Sequence, residues 1–291
     1  MRRIINCFNV TLSAKVQIKS HFSFPISHFF VTLQSNRNSE RMISKNQMKL
    51  IKQLEQKKFR RREGLFVAEG PKVVGDLMKR WKPVAVFATA DYEHSMPVEV
   101  QLITDEELRR VSFLQHPQQV VALFPLPEPS VFVPDSSKLI LALDGVQDPG
   151  NLGTIIRLAD WFGITDIICS METADAWNPK VVQETMGSIA RVNITYTNLP
   201  DLLAQLPPEH PVYGTLLDGD NIYQQQLTQG GIIVMGNEGN GLTRKVRQRA
   251  NRRLLIPSYR SDDTAESLNV AIATAVVCAE FRRRGSGCPL H

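Results

Sequence analysis

The alternation of apolar and polar residues divides the chain into two stretches with different rhythms. In the first stretch, predicted helices cover residues 44–62, 71–81 and 104–111, and predicted strands cover residues 65–70, 84–89 and 119–124. Short helices that alternate with short apolar strands are typical of a small α/β module.

The second stretch has a longer and more regular alternation. Its predicted strands cover residues 139–143, 164–169, 194–197, 211–217, 231–235 and 253–256, and its predicted helices cover residues 151–162, 179–191, 243–250 and 266–283. Continuous apolar strands that alternate with helices predict an α/β fold whose parallel sheet carries helices on both faces.

A proline-marked run, PLPEPSVFVP, separates the two stretches at residues 125–134. Prolines and small polar residues between two periodic regions indicate a connection rather than a further element. We therefore expect a small domain at residues 42–124, a linker at 125–137 and a larger domain at 138–285.

Residues 1–39 contain neither Asp nor Glu, a composition typical of a transit peptide. The alternative is a start codon assigned too early, because Met42 opens a sensible domain in which Ser44 can cap a helix. We favour the early start, and on either interpretation we expect residues 1–41 to be an extension outside the fold.

Composition adds a preference for a polyanionic partner. The net charge is +5 and the isoelectric point about 9.1, which favours nucleic acid among the partners of a soluble protein. Many of the cations lie between Lys49 and Arg62, where they form either a solvated helix face or an arm that tracks phosphates. No apolar run reaches the roughly 18 residues of a membrane span, so we expect no membrane partner.

The four cysteines show neither CxxC spacing nor the density of a disulfide framework. Cys169 and Cys278 lie in apolar runs and are predicted to be small core residues. The histidines have no companions with ligand-like spacing, so we expect no metal site. Reduced cysteines fit a cytoplasmic location.

Three stretches of the larger domain carry polar residues beside apolar elements. The first, DPGNLGTIIRLADWFG, follows the strand at 139–143, and its Asn151 can cap the next helix. Arg157 lies among apolar residues of that helix. It either pairs with Asp160 at i, i+3 or directs its guanidinium at a phosphate or ribose of a substrate.

The second stretch, GIIVMGNEGNGLT, ends a buried strand in a glycine-rich turn. It is neither GxGxxG nor followed by GK[ST], so a nicotinamide-dependent dehydrogenase and a phosphate loop lack their fingerprints. The third stretch, IPSYRSDDTAESLNVAIATAVV, places Ser267 and Asn269 on either side of Leu268. Its alternative interpretation is that Glu266 and Ser267 simply begin a helix.

Together, the three stretches resemble the motifs of the SpoU/TrmH family of RNA ribose 2′-O-methyltransferases in residues, order and spacing, over about residues 138–283. Residues 42–124 are more loosely similar to the small RNA-binding domain of that family. One departure is the run SYRSDDTAE, which is longer and more acidic than usual and leaves Asp262 and Asp263 without an interpretation.

The resemblance implies a SPOUT-type α/β fold whose deep trefoil knot binds S-adenosylmethionine, in a homodimer with the site at the subunit interface. By matching position, the cofactor-binding residues would be Gly236, Ile256 and Leu268, with Thr215 and Gly241 beside them. The catalytic residues would be Asn151, Arg157, Glu238, Ser267 and Asn269.

The activity that this resemblance implies is methyl transfer to a ribose 2′-hydroxyl of ribosomal or transfer RNA. A guanidinium stays protonated in proteins, so we expect Arg157 to position the substrate rather than to remove its proton. Asn151, with Ser267 or Asn269, would orient the ribose and Arg157, while Glu238 would fix the local structure or the partner subunit's Arg157. The alternative is a non-catalytic RNA-binding or ribosome-assembly factor that retains the fold.

Overall fold

The computed structural model describes residues 42–93, 97–129, 132–259 and 267–284. The extension expected at residues 1–41 and the acidic pair at 262–263 lie outside these ranges. The described residues form two sheets that follow one another along the chain, the first four-stranded and the second six-stranded.

The four-stranded sheet has the order β1-β4-β2-β3, in which β4 pairs antiparallel with both of its neighbours and β2 pairs parallel with β3. Its part of the chain comprises α1 Lys45–Gln53, α2 Lys57–Glu63, β1 Leu65–Glu69, α3 Pro71–Met78, β2 Ala85–Ala88, β3 Gln101–Leu102, α4 Asp105–Val111 and β4 Val120–Pro125. The short strand β3 was not predicted from the sequence.

The single helix predicted at residues 44–62 is wrong. Ser44 caps α1 in a capping box, but Leu54 ends that helix and Gln56 adopts an extended conformation before α2 begins. Leu54 is fully buried, so the chain turns where this side chain enters the core. As a result Arg60 of α2 points inward instead of joining a continuous basic face.

The six-stranded sheet has the order β10-β8-β9-β5-β6-β7, and every neighbouring pair is parallel. Its elements are β5 Leu139–Asp144, α5 Pro149–Trp161, β6 Asp166–Ser170, α6 Pro179–Glu184, β7 Asn193–Thr197, α7 Leu199–Ala204, β8 Val212–Asn221, β9 Gly231–Gly236, α8 Arg244–Arg247, β10 Arg252–Leu255 and α9 Val270–Arg284, with short 3-10 turns at Ser188–Ala190 and Ile222–Gln224. The predicted parallel sheet is confirmed.

Helices cover both faces of this sheet. Leu141 of β5 packs in the cluster that contains Ile155 of α5 and Val277 of α9, whereas Ile140 packs in the cluster that contains Leu203 of α7 and Val246 of α8. Alternate side chains of one strand thus pack on opposite faces of the sheet, as a strand's two-residue period requires.

Cys169 and Cys278 are buried as predicted, and burial raises the pKa of each thiol to about 12.

Several predicted helix bounds are wrong. The helix predicted at 179–191 stops at Glu184, because Met186 and Gly187 adopt positive φ angles of 52° and 93°. The helix predicted at 243–250 is only Arg244–Arg247, and the last helix begins at Val270 rather than at residue 266. Helix α7 was not predicted.

A buried ion pair joins the part of the chain that forms the four-stranded sheet to the part that forms the six-stranded sheet. Arg60 is 1% exposed, and its Nη1 donates to the carbonyls of Leu54 and Glu55 at 2.7 and 2.6 Å. Its Nη2 donates at 2.5 Å to Oδ2 of Asp175, in the loop after β6. The interface also contains Trp177, whose ring centroid lies 4.8 Å from that of Phe66.

Two more cations extend this interface along α6 and β7. Lys72 Nζ donates to the Met186 carbonyl at 2.9 Å, and Arg80 Nη1 donates to the Ala190 carbonyl at 2.9 Å. The small domain is therefore docked through buried and partly buried polar contacts as well as aromatic packing.

We predict that Arg60→Met lowers the free energy of unfolding by about 3–5 kcal/mol, because it leaves Asp175 facing the interface without its cation. Urea denaturation measures the loss. Arg110→Met is the matched control, since Arg110 pairs with Glu106 on the surface, and it should cost less than about 1 kcal/mol. Equal losses in the two variants would show that the buried pair does not hold the domains.

Candidate active site

The carboxyl ends of all six parallel strands lie at one edge of the larger sheet, where ligands of open α/β sheets bind. The first loop at this edge runs from β5 to α5. Asp148 caps α5 there, because its Oδ1 accepts from the backbone N–H of Asn151 at 2.8 Å. The prediction that Asn151 is the cap is wrong, and its side chain is free to make long-range contacts.

The second loop follows β9 and is closed by Asn237. Paired main-chain hydrogen bonds of 3.0 and 2.9 Å join Asn237 to Gly241. The Asn237 Oδ1 accepts from the N–H groups of Gly239 and Asn240, both at 3.0 Å, and its Nδ2 donates to the Gly145 carbonyl at 2.8 Å. Our sequence analysis missed Asn237, although an Asn that leads a glycine-rich turn is a known signal of a side-chain-closed turn.

The two loops and the start of α9 meet in a chain of hydrogen bonds. Asn151 Nδ2 donates to Glu238 Oε1 at 2.9 Å, and Asn269 Nδ2 donates to Asn151 Oδ1 at 2.9 Å. Asn269 Oδ1 then accepts from the N–H groups of Ala271 and Ile272 at 2.9 and 3.2 Å. We call Glu238, Asn151 and Asn269 the polar chain.

The direction of the polar chain is determined by its two ends. An ionised carboxylate only accepts hydrogen bonds, and backbone N–H groups only donate them. Asn151 must therefore turn its amino group to Glu238, and Asn269 must turn its carbonyl to the helix. Each amide has one orientation that satisfies both neighbours, so the Glu238 carboxylate is held in a defined place.

Arg157 and Ser267 lie outside the polar chain. Arg157 is exposed and makes no hydrogen bond or ion pair within the described ranges. The interpretation that it pairs with Asp160 is wrong, because Asp160 accepts from Arg191 Nε at 2.9 Å. On an α-helix Arg157 lies about 9 Å beyond Asn151 and roughly 120° around the axis. Ser267 is exposed just before Leu268 and Asn269.

The residues expected to bind a cofactor lie on several elements of the larger sheet: Gly236 ends β9, Ile256 directly follows β10, Thr215 lies within β8 and Leu268 precedes α9. A Cβ on Gly236 would lie 2.4 Å from the Gly241 carbonyl carbon, so only glycine allows the loop to fold back on the strand. Gly241 has a φ of 64°, which favours glycine as well. Both glycines shape the loop backbone.

The other three expected cofactor residues contribute apolar surface or a sheet contact. The Thr215 hydroxyl donates to the Val234 carbonyl at 2.9 Å and so links β8 to β9. Ile256 is half-buried after β10, and Leu268 is 50% exposed beside Asn269. Partly exposed apolar side chains of this kind suit a flat, uncharged ring.

Asp144 is a further residue that the sequence analysis missed. It ends β5, is 3% exposed, and its Oδ2 accepts from the Thr243 N–H at 2.6 Å. This contact holds the far end of the Asn237–Gly241 turn against β5. The sequence signal that could have identified Asp144 is an acidic residue at the end of an apolar strand.

In the described residues no group of His, Cys, Asp or Glu could hold a metal ion, and no helix has the length and apolar character needed to cross a membrane.

We predict that Gly236→Ala destabilises the protein by roughly 1–3 kcal/mol, because the added methyl meets backbone atoms that cannot move aside alone. Gly239→Ala is the matched control, since its Cβ would lie 3.6 Å from the Asn237 Oδ1, an ordinary contact. Thermal unfolding compares the two variants. A Gly236→Ala protein as stable as the control would show that the loop is not packed against the strand in this way.

Comparisons with known proteins match both parts of the chain. The model of the SpoU rRNA Methylase family matches residues 138–279, and that of the MRM3-like substrate binding domain matches residues 45–122. The 23S rRNA (guanosine(2553)-2′-O)-methyltransferase RlmP of Bacillus subtilis is 32% identical over 248 residues, which are 82% of this chain and 97% of the relative.

Solved structures agree with this match. A protein from Porphyromonas gingivalis described as an RNA methyltransferase of the TrmH family is 41% identical, with a TM-score of 0.76 over 84% of this chain and 99% of its own. An AdoMet-bound rRNA methyltransferase from Sinorhizobium meliloti is 30% identical, with a TM-score of 0.74 over 86% and 99%.

The resemblance carried by the three motifs is thus confirmed, and the matched range contains every residue of the polar chain. With a full-length relative at this identity and the same fold in solved structures, the chain belongs to the SpoU rRNA methylase family.

Proposed function

We propose that this protein transfers the methyl group of S-adenosylmethionine to the ribose 2′-hydroxyl of a guanosine in large-subunit ribosomal RNA. The observation that carries the proposal is the polar chain, which holds a carboxylate and two amides beside the expected cofactor residues at the carboxyl edge of the sheet. The name of the Bacillus subtilis relative supports a guanosine of 23S rRNA. An RNA substrate of the ribosome also fits a cytoplasmic location.

The expected cofactor residues fit S-adenosylmethionine. Gly241 exposes main chain, which the packing of Gly236 holds in place, while Ile256 and Leu268 offer apolar surface for a purine ring. When bound, the cofactor supplies a methyl group from its sulfonium sulfur, which becomes a neutral thioether once the methyl group has left. The neighbouring strands β8 and β10 also pass closely: a Cβ on Gly219 would lie 2.6 Å from the Leu254 carbonyl carbon. This close passage is compatible with the trefoil knot, which stays a prediction.

Methyl transfer needs an oriented 2′-hydroxyl, whose oxygen takes the methyl group while its proton passes to water at this exposed site. We assign the orientation of the ribose to Ser267 and to the Glu238 carboxylate, which Asn151 and Asn269 hold in place. Arg157 binds a phosphate beside the target nucleotide, because a guanidinium stays protonated but pairs well with phosphate oxygens.

Arg157 reaches the site from a second copy of the chain. Helices α5 and α9 lie side by side, joined at one end by Asn151 and Asn269 and at the other by Arg282, whose Nε donates to the Phe162 carbonyl at 2.7 Å. On this helix pair Trp161 is 83% exposed and Ile272 is 56% exposed. Large exposed apolar side chains on adjacent helices favour an interface between copies, so we propose a homodimer with shared sites.

The small domain at residues 42–124 would bind the RNA through α2. Arg60 anchors α2 to the loop after β6, and Lys57 Nζ lies 5.6 Å above the ring of Tyr196 in β7. Both contacts are at the carboxyl edge of the sheet, where the polar chain also lies. Lys58 and Arg61 are exposed on α2, which favours a phosphate-binding role for this helix over a merely solvated face. Arg60 itself is structural.

We predict that Arg157→Ala abolishes methylation of ribosomal RNA and leaves affinity for S-adenosylmethionine within about twofold. Glu238→Ala should also be inactive. Mixing the two inactive proteins and letting subunits exchange should restore activity, because each mixed dimer then contains one site with both side chains intact. Incorporation of labelled methyl groups into RNA measures the recovery, which at full exchange approaches one quarter of the wild-type activity.

Exchange is demonstrated separately, by mixing affinity-tagged Arg157→Ala protein with untagged Glu238→Ala protein and recovering the untagged chain on the affinity resin. Failure of the two mutants to complement each other, with exchange demonstrated, would place Arg157 and Glu238 in a site built from one chain. An active Arg157→Ala protein would remove Arg157 from the mechanism. A wild-type protein that methylates no RNA would contradict the proposed activity itself.

We predict that the double variant Lys58→Gln and Arg61→Gln binds an RNA fragment of the target region more weakly. Two fewer phosphate contacts should lower the slope of log affinity against log salt by about 1.4 for single-stranded RNA. Fluorescence anisotropy at several salt concentrations measures both quantities. The control Lys79→Gln with Arg110→Gln removes the same charge elsewhere on the small domain and should change the RNA affinity and the salt slope little. Equal effects of the two double variants would show that α2 is not a binding element.

A further inference from the structure

The segment TRKVRQRANRR, at residues 243–253, is the most basic part of the larger domain. It carries six cations and no acid. Val246 and Leu254 are buried and fix α8 and β10 to the sheet, while the six cations of the segment lie at or near the surface. Arg244, Lys245, Arg249 and Arg252 are exposed, and we call these four residues the basic patch.

Nearby acids do not neutralise the basic patch. Asp218 forms ion pairs with the two remaining cations, Arg247 and Arg253. Asp220 lines a shallow cavity of about 360 Å³ together with Arg252 and Arg253. No patch residue forms an ion pair with any described residue. Unpaired cations grouped on a surface favour a polyanionic partner.

Three of the four patch residues stay accessible in the proposed homodimer. Val246 of α8 packs in the cluster that contains Leu199 and Leu203 of α7. This cluster lies on the face of the sheet opposite α5 and α9, where the second copy is expected. Arg244, Lys245 and Arg249, on or directly after α8, therefore do not need to be buried when the dimer forms, whereas Arg252 shares the other face of β10 with Leu254.

Strand β10 and α2 lie on opposite flanks of the active edge, and the basic patch extends from this edge along α8 toward the amino end of β10, where Arg252 pairs with Tyr213. Strand β10 is the outermost strand on one side of the sheet, and β7, next to α2, is the outermost on the other. Five strand spacings separate them by about 24 Å, the length of roughly seven stacked nucleotides. Glu238 lies between them, in the loop after β9. A strand that passed Glu238 from α2 would continue toward the basic patch.

An exposed aromatic residue follows β10. Tyr259 is 87% exposed, four residues after the end of the strand. Proteins bind single-stranded nucleic acid by combining surface cations with exposed aromatic rings, because a ring stacks on a base while the cations bind phosphates. An anionic membrane surface has no base to stack on, so the aromatic residue favours RNA.

We infer that the basic patch binds the phosphodiester backbone of the substrate RNA on the side of the target nucleotide opposite to α2, and that Tyr259 stacks on an unpaired base there. This inference rests on the proposed function, because it takes the methylated RNA as the ligand. It gives the protein two backbone contacts that flank the reacting ribose instead of one.

The test is the quadruple variant Arg244→Gln, Lys245→Gln, Arg249→Gln and Arg252→Gln, compared with a control that replaces the exposed Lys79, Lys82, Arg109 and Arg110 by Gln. Fluorescence anisotropy with a large-subunit RNA fragment measures affinity at several salt concentrations. We expect the patch variant to bind at least tenfold more weakly and its salt slope to fall by about 2.8, while the control stays within threefold of wild type.

Tyr259 is tested separately. Tyr259→Ala should weaken RNA binding several-fold without changing the salt slope, and Tyr259→Phe should restore it, because stacking needs the ring and not the hydroxyl. Calorimetry with S-adenosylmethionine checks that each variant is folded. Should the quadruple variant lose this binding, the double variant Lys245→Gln and Arg249→Gln takes its place, with an expected slope change of about 1.4.

Wild-type RNA affinity and salt slope in the patch variants would overturn the inference, as would a loss confined to vesicles of 30% phosphatidylserine. The proposed activity and the proposed binding surface are tested separately, so either one can fail without the other. If the wild-type protein methylates no RNA but the patch variants still lose RNA binding, the activity is wrong and the binding surface stands. If the wild type methylates RNA and the patch variants bind it normally, only the surface is wrong.

Discussion

The hydrogen bonds among Glu238, Asn151 and Asn269 are the constraint on which the site depends. They join three segments that are far apart in the sequence: the turn after β9, the first turn of α5 and the first turn of α9. Because each amide has only one orientation that matches both neighbours, the loss of any member frees the remaining side chains, which lie at the surface, to bind water instead. The same contacts position the N-terminal ends of α5 and α9 together, so the site and the exposed apolar face of the helix pair are parts of one arrangement.

The sequence was informative wherever a periodic pattern agreed with burial. Strands such as Gly231–Gly236 read as continuous apolar runs because both faces of the sheet are covered, and this property identified the parallel sheet. The three motifs were informative for a different reason. Their polar residues follow strands or begin helices at one edge of the sheet, so the motif residues meet in space although they are separated along the chain.

Sequence reasoning failed where a tertiary contact outweighed the local pattern. The basic run at 44–62 has a helical pattern, but burial of Leu54 and the ion pair of Arg60 with Asp175 divide it. Arg157 lies among apolar neighbours in sequence and yet is exposed, because its helix turns this position to the surface. Asn151 could have capped α5, and only the geometry shows that Asp148 takes this role.

The closed interface around Arg60 has a consequence for how a target is chosen. A small domain that swung freely could present many positions of a bound RNA to one site. With α2 held against the loop after β6 by a buried ion pair, an RNA backbone bound to α2 as proposed would lie at a constant distance from Glu238. The protein would then act as a ruler, selecting the nucleotide at the right spacing along the strand.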